Sequence, residues 1–442
     1  MKITNAWICR INKNNVEPIF GDLTFTDGKI SSIEEKSFEP KNVFAENFNE
    51  KDIINAGGRV VTIPNINFHD HFYSRLAKGL TIKGETDNFH NILKNLWWKL
   101  DLILDEEMIK ASSQMAALES IRNGVTYIFD HHSSPQSANG SLKIISDILS
   151  EAGLRGVLCF ESTDRNGKEF TKQGLNENID FLQNQTDENI KGLFGLHASF
   201  TVDDESLKTL SEFVNNNDLG IHVHLCEDKV DRDFSLKQFN KSPADRFIDF
   251  KMLNDKSILA HGIHLVENDF RLIEKAGSAI VYNPDSNLNN AVGLADFSHV
   301  PDSIPILAGT DGMNSNPARS LKQLFLISRH RGMSFDESFK FINKIYFDQI
   351  NFVKKYFPDF TLLNTNDRAD LIIWDYIPPT IFNSENFFGH YVYGILDRPV
   401  HSVIQNGKVL MKNFQITIDE TCYNAKIVEQ GKRLYEKFNS IS

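Results

Sequence analysis

In the run IPNINFHDHFYS, residues 63–74, His69 and His71 stand either side of Asp70. Alternate residues of an extended chain point to the same face, so the two imidazoles form a two-nitrogen grip for a metal ion. A His-x-His pair alone equally describes two surface histidines after a strand, and partners elsewhere in the chain have to decide. Partners stand at the ends of other short apolar runs: His222, His224 and Glu227 in GIHVHLCE, His261 in SILAH, and Asp311 in PILAGTD. A catalytic zinc site needs a few nitrogen or oxygen ligands and one position left for water. His69, His71, His224 and Asp311 meet that need. An ion held there lowers the pKa of bound water toward neutrality and supplies hydroxide. A carboxylate must then take a proton and return it to the leaving group. Glu227, three residues after His224, is placed for that, and Asp311 could share the work.

These residues need a frame that brings strand ends together. Eight short apolar runs end in polar residues: 66–71, 126–132, 156–161, 193–199, 220–227, 257–261, 279–287 and 305–311. Between them, 106–124, 141–153, 203–216 and 267–277 have helical periodicity, several ending in glycine. Eight strand–helix alternations imply an α/β protein with a closed (β/α)8 TIM-like barrel, whose chemistry sits at the C-terminal strand ends. An open doubly wound sheet would alternate in the same way, but no glycine-rich phosphate loop follows the first strand. Asp27-Gly28 and Asn406-Gly407 are hairpin turns in β-rich segments at opposite ends of the chain. The expected division is therefore 1–60 and 356–418 in one small sheet domain, 61–355 in the barrel, and an exposed helix over 419–442.

Composition excludes some partners. The formal net charge is −12 over 442 residues, which argues against nucleic acid and against an anionic membrane surface. Cys9, Cys159, Cys226 and Cys422 lie far apart, without a CxxC pair, so neither a disulfide scaffold nor a zinc knuckle is expected. No stretch approaches the roughly 18 apolar residues of a membrane span, and the first residues lack a signal-like apolar run. A cytoplasmic protein is expected.

The ordered set HDH, HVHLCE, LAHG, NPDSN and GTDG resembles the amidohydrolase superfamily, in its mononuclear aminohydrolase branch. HFYSRLAKG, LKNLWWKLD, FDHHSSP, CFESTDRNG and LHASFTV are similar, in order along nearly the whole chain, to the SsnA-type aminohydrolases, relatives of the chlorohydrolase and guanine deaminase-like enzymes. The resemblance implies a barrel beside a composite β-sandwich built from both termini. It implies metal ligands at His69, His71, His224 and Asp311, and proton shuttling by Glu227. It further implies a water-polarising His261, Asp311 as ligand and base, and His197 facing the substrate. No lysine ends the fourth run, so the carboxylated lysine of two-metal relatives is missing and one divalent ion is implied, zinc first, with iron as the alternative. Barrels of this family commonly pair, which makes a homodimer the implied assembly. One departure stands out: the family pattern PGxxNxHxH is replaced by PNINFHDH, one residue shorter and without the glycine.

Other polar strand ends have two readings each. Asp130, His131 and His132 form either a polar turn or a contact of at least one histidine with the pocket. Glu161, Asp164 and Arg165 end the third run; Arg165 either grips a carboxylate or oxo group through its planar fork or makes a surface salt bridge. Trp97 and Trp98 are either packing or a lid over a flat heterocycle. His222 and His264 read as packing residues. The substrate contacts expected are thus His197, His131, Glu161, Arg165 and Trp97. The reaction class is deamination of a planar nitrogen heterocycle related to purines, pterins or pyrimidines. Opening of a cyclic amide or amidine on the same site is the nearest alternative, and a non-catalytic metal-binding scaffold is the alternative of another class.

Overall fold

Asp27 and Gly28 take φ of 49° and 76°, and Asn406 and Gly407 take 51° and 72°. Both central residues being left-handed is the condition for a two-residue hairpin whose twist matches its strands. The computed structural model describes residues 1–39 and 52–441, so residues 40–51 of the expected N-terminal segment lie outside it. The chain forms two compact units.

The first unit comprises residues 1–66, 118–127 and 316–419. Among the described residues it holds a nine-stranded sheet. Strands Lys2–Asn12, Asn15–Thr26 and Lys29–Glu35 run antiparallel from the N-terminal part. Leu371–Trp374, Val400–Gln405 and Lys408–Lys412 come from the C-terminal part. The two ends of the chain join where Ile372 and Ile373 pair antiparallel with Thr62 and Val61. Trp374, buried, donates its indole N–H to Thr62 Oγ1 at 2.9 Å.

The second unit comprises residues 67–117, 128–315 and 420–442. Strands Phe194–Ala198, Ile221–Leu225, Ile258–His261, Ala279–Tyr282 and Ile306–Ala308 form a parallel sheet in chain order. A second sheet, most of whose residues belong to this unit, has the order Asn65–Asp70, Val125–His132, Arg155–Phe160, Ile190–Gly192. Isolated parallel bridges pair Asp70 with Asp311 and Ser162 with Leu196. All residues of Asn65–Asp70 and Val125–His132 are buried, polar ones included. Strands covered on both faces do not alternate, so the polar residues at their ends are buried with the rest.

Intervening helices have readable ends. Asp203 caps Asp204–Asn216 by accepting from Ser206 N at 2.9 Å. Gly277, at φ 74°, closes Glu267–Ala276. Some expected strands are shorter than read: 305–311 extends only to Ala308, 220–227 to Leu225 and 279–287 to Tyr282, where Pro284–Asn289 is a short helix. Proline at a first helical position, with no N–H to lose and φ already set, explains the switch. The C-terminal helix Glu420–Ile441 is tied to its unit by Arg433 and Lys437, which pair with Asp105 at 2.7 and 2.8 Å.

Candidate metal centre and substrate pocket

The backbone N–H groups of Thr310 and Asp311 both donate to the His69 carbonyl at 3.0 Å. This approach requires glycine at 309, where a Cβ would lie 2.8 Å from His69 Cβ. It sets Asp311 beside the opening pair: Oδ1 is 2.8 Å from His71 Nε2 and 3.4 Å from His69 Nε2. His224 Nε2, from the strand Ile221–Leu225, lies 3.1 Å from His71 Nε2.

The outer ring nitrogens fix the inner ones. His71 Nδ1 donates to the His131 carbonyl at 2.5 Å, and His224 Nδ1 to the His197 carbonyl at 2.7 Å. A carbonyl only accepts, so Nδ1 carries the proton and the neutral ring turns a bare Nε2 lone pair inward. His69 Nδ1 pairs with His222 Nε2 at 2.8 Å. Lone pairs this close to one another and to a carboxylate repel unless a proton or a cation lies among them. Without an ion the charge falls on His71. Burial pulls its pKa down, but the bond to and charge of Asp311 outweigh burial and raise it to about 9. Burial lowers His69 to about 4 and holds His224 well below the usual value. Asp311 resists its own burial through its bonds to His69 and His71 and stays well below the usual carboxyl range. Two groups of four have ligand atoms within 4.8 Å of one another: His69, His71, His131 and His224, and His69, His224, His261 and Asp311. The donor set fits one divalent cation.

A second group could move protons. Cys226 sits at φ 49°, its N–H held by Asp231 Oδ2 at 2.7 Å. This turn lets Glu227 line the same pocket as His224. Glu227 Oε2 is 3.5 Å from His261 Nε2, and its Oε1 accepts from Asn290 Nδ2 at 3.3 Å. Burial, then the charge of Asp311, push Glu227 well above the usual carboxyl range and favour its acid form. Asn287 Nδ2 donates to His261 Nδ1 at 2.8 Å, leaving the His261 proton on Nε2. Ser286 Oγ donates to Asp311 Oδ2. His261 and Asp311 are themselves left-handed, at φ 76° and 54°. Such non-glycine residues cost about 1–3 kcal/mol each and cluster where function demands a fixed aim. Ser286, Asn287 and Asn290 were visible in the sequence only as the polar stretch NPDSN and its continuation; the helix that aims them was not.

The pocket walls treat the remaining expectations unequally. His197 lines the cavity, its Nδ1 held by Thr201 Oγ1 at 2.9 Å. Trp97 and Trp98 both line it and pack against Phe89, Leu93 and Val292. Glu161 also lines it, with no hydrogen bond to either carboxylate oxygen. Its Oε1 is 3.5 Å from His71 Nδ1 and 3.4 Å from His131 Nδ1, and burial raises its pKa to about 7. Arg165 lines the cavity as well, and it makes no surface bridge: its guanidinium pairs with buried Asp101, with Trp98 beneath it at 5.5 Å. His131 is a correction, because it does not reach the cavity wall. It is fully buried, stacks on His222 at 4.5 Å and donates Nε2–H to the Leu196 carbonyl at 3.1 Å. His132 is likewise buried, bonded to Ser134 Oγ at 2.9 Å. His264 bonds the Val292 carbonyl at 2.8 Å, a packing role as read.

A model of the amidohydrolase family matches residues 60–410. The chain belongs to the amidohydrolase family. It is 25% identical over 390 residues to 5'-deoxyadenosine deaminase of Methanosphaera stadtmanae, covering 85% of this chain and 88% of that one. It is 24% identical over 416 residues to 5-methylthioadenosine/S-adenosylhomocysteine deaminase of Thermococcus onnurineus, covering 92% and 93%. Among solved structures, an adenosine deaminase from Xanthomonas campestris with bound zinc has a TM-score of 0.76 at 16% identity, covering 98% of each chain. That likeness is one of fold. No helix among the described residues is long and apolar enough to cross a membrane.

Proposed function

We propose that this protein is a metal-dependent aminohydrolase that deaminates a planar nitrogen heterocycle related to purines, pterins or pyrimidines. One divalent ion, zinc before iron, is held by His69, His71, His224 and Asp311. Bound there, the ion supplies the Lewis acidity that makes water a nucleophile near neutral pH. His261, with its proton on Nε2, orients the attacking water. Asp311 accepts a proton from it, aided by the Ser286 hydroxyl that fixes Oδ2. Glu227 in its acid form protonates the ring nitrogen next to the reacting carbon; as a carboxylate it then takes the proton of the new hydroxyl on that carbon and delivers it to the departing amine, and the proton on Asp311 restores its acid form. A C–O bond forms, the C–N bond breaks and ammonia leaves. His197 faces the ring.

The observation that carries this reading is the inward convergence of the His71 and His224 lone pairs on the Asp311 carboxylate, with an acid, Glu227, on the same cavity. Sequence relatives with deaminase names support the deaminating branch. The finer resemblance to SsnA-type enzymes, a homodimer and a cytoplasmic location belong to the same reading. So do a (β/α)8 barrel over 61–355, closed at the two isolated bridges, a composite sandwich from 1–60 and 356–418, and a helical tail over 419–442. The test is a panel of flat nitrogen heterocycles offered to zinc-loaded protein, with ammonia and ultraviolet absorbance followed together. Ammonia released in step with a modest spectral shift is expected. Loss of ring absorbance without ammonia would replace deamination by ring opening.

A further inference from the structure

Beside the metal-facing pocket lies a larger recess, and the two share Trp98, Arg165 and Phe200 in their walls. The space next to the histidines is about 60 Å³, and that in the recess about 520 Å³ on the same measure. A continuous line of rings leads from one to the other. His197 meets Phe200 at 6.3 Å, Phe200 meets Phe234 at 6.4 Å, and Phe234 meets Phe239 at 6.3 Å, each edge to face. On the recess lining opposite these in sequence, His90 meets Trp98 at 5.5 Å.

The carboxylates of the recess are already paired. Asp164 accepts from Thr171 Oγ1 at 2.6 Å, Ser206 Oγ at 2.8 Å and Asp203 N at 2.8 Å. Asp203 binds Lys168 Nζ at 2.6 Å, and Arg165 is spent on Asp101. Much of the remaining lining is apolar: Val202, Val230, Phe200, Phe239 and Phe234, which is 42% exposed. Exposed aromatic surface inside a cavity that shares its walls with a reaction pocket gains most from an apolar ligand group.

We propose that the recess is a specificity subsite for an uncharged aromatic or alkyl substituent of the substrate. Building on the aminohydrolase reading, the heterocycle reacts beside the histidines while its substituent passes Trp98 and Phe200 and lies along Phe234 and Phe239. A carboxylate or phosphate tail is disfavoured, because among the described residues lining the two cavities Arg165 is the only arginine or lysine and it is neutralised by Asp101.

The test is calorimetric titration of zinc-loaded protein with benzimidazole, 1-benzylbenzimidazole and 2-benzylbenzimidazole, none of which carries an amine to lose. At least one benzyl compound should bind about tenfold or more tighter than benzimidazole, as burial of a phenyl group requires. In Phe234→Asp and in the milder Phe234→Ala, this preference should fall to within about threefold while benzimidazole affinity and release of ammonia from small heterocycles stay unchanged. Equal binding of all three probes, no binding of any, or a preference that survives both substitutions overturns the proposal. So does a change of oligomeric state in Phe234→Asp, which would make the recess an interface between copies. A protein that keeps the benzyl preference but releases no ammonia from any heterocycle keeps the subsite and loses the aminohydrolase reading.

Discussion

The floor of the pocket and the recess beside it are built on opposite terms. On the floor, imidazole rings are held from behind: His71 by the His131 carbonyl, His224 by the His197 carbonyl, His261 by Asn287. His261 and Asp311 are held in left-handed backbone conformations that only surrounding structure can maintain. In the recess, Phe200, Phe234 and Phe239 touch by ring edges, and Phe234 is half open to solvent. Reacting groups must be aimed to a fraction of an ångström before the substrate arrives, whereas an apolar surface needs only area. Damage to the floor should therefore appear in turnover, and damage to the recess in choice of ligand.

Removal of the ion by a chelator is the most severe break in that contrast. Turnover should fall below detection and return on adding zinc; activity that persists after metal analysis shows an empty protein would end the hydrolytic assignment of the floor. Glu227→Gln comes next, with an expected loss of about 10²–10⁴-fold in kcat and zinc content unchanged by elemental analysis. Should turnover survive this change, the proton shuttle lies elsewhere. Asn287→Leu removes the group that fixes the His261 tautomer without touching the ion. A loss of about 10–100-fold in kcat is expected, in line with other outer partners of metal-site histidines, together with a shifted pH profile. Val230→Ala, at a residue that lines the recess, should change turnover of a small heterocycle by less than about twofold; a larger loss would erase the distinction between the two regions.

A pH experiment sharpens the same point. His71 in the ion-free protein has its pKa raised to about 9. A raised histidine stabilises the fold fully below its unfolded value, about 6.5. That contribution is lost as pH climbs from there through about 9. Ion-free protein should therefore lose this part of its stability between about pH 6.5 and 9. Zinc added at pH 7.5 should displace roughly one proton from this ring, read with an indicator dye. Zinc uptake without proton release would mean that His71 already stood neutral.

Much of the floor was legible because its residues stand at strand ends and keep their order: His69 and His71, His224 with Glu227, His261, Asp311. Residue type and spacing carry that information, since a strand fixes which side chains share a face. The Asn-Gly and Asp-Gly turns were legible for a related reason, as backbone positions with few tenable residues. The rims were not. Nothing local distinguishes Arg165 as a substrate grip from Arg165 as the partner of Asp101, 64 residues away in sequence. His131 and His132 illustrate the same limit, because a buried strand end can turn its histidines to a backbone carbonyl or a serine as readily as to a cavity.

The sequence by itself determined which residues could meet: the order of strand ends, the turns and caps that stop each element, and the chemical types gathered there. Tertiary structure alone decided which atom of each residue faces which. The His71–His224 contact, the His69–His222 pair and the Asn287–His261 bond join residues 153, 153 and 26 positions apart. Whether a given ring nitrogen holds a proton or offers a lone pair follows from those partners, and hydrogen-bond partners across such distances are set by packing rather than by local periodicity.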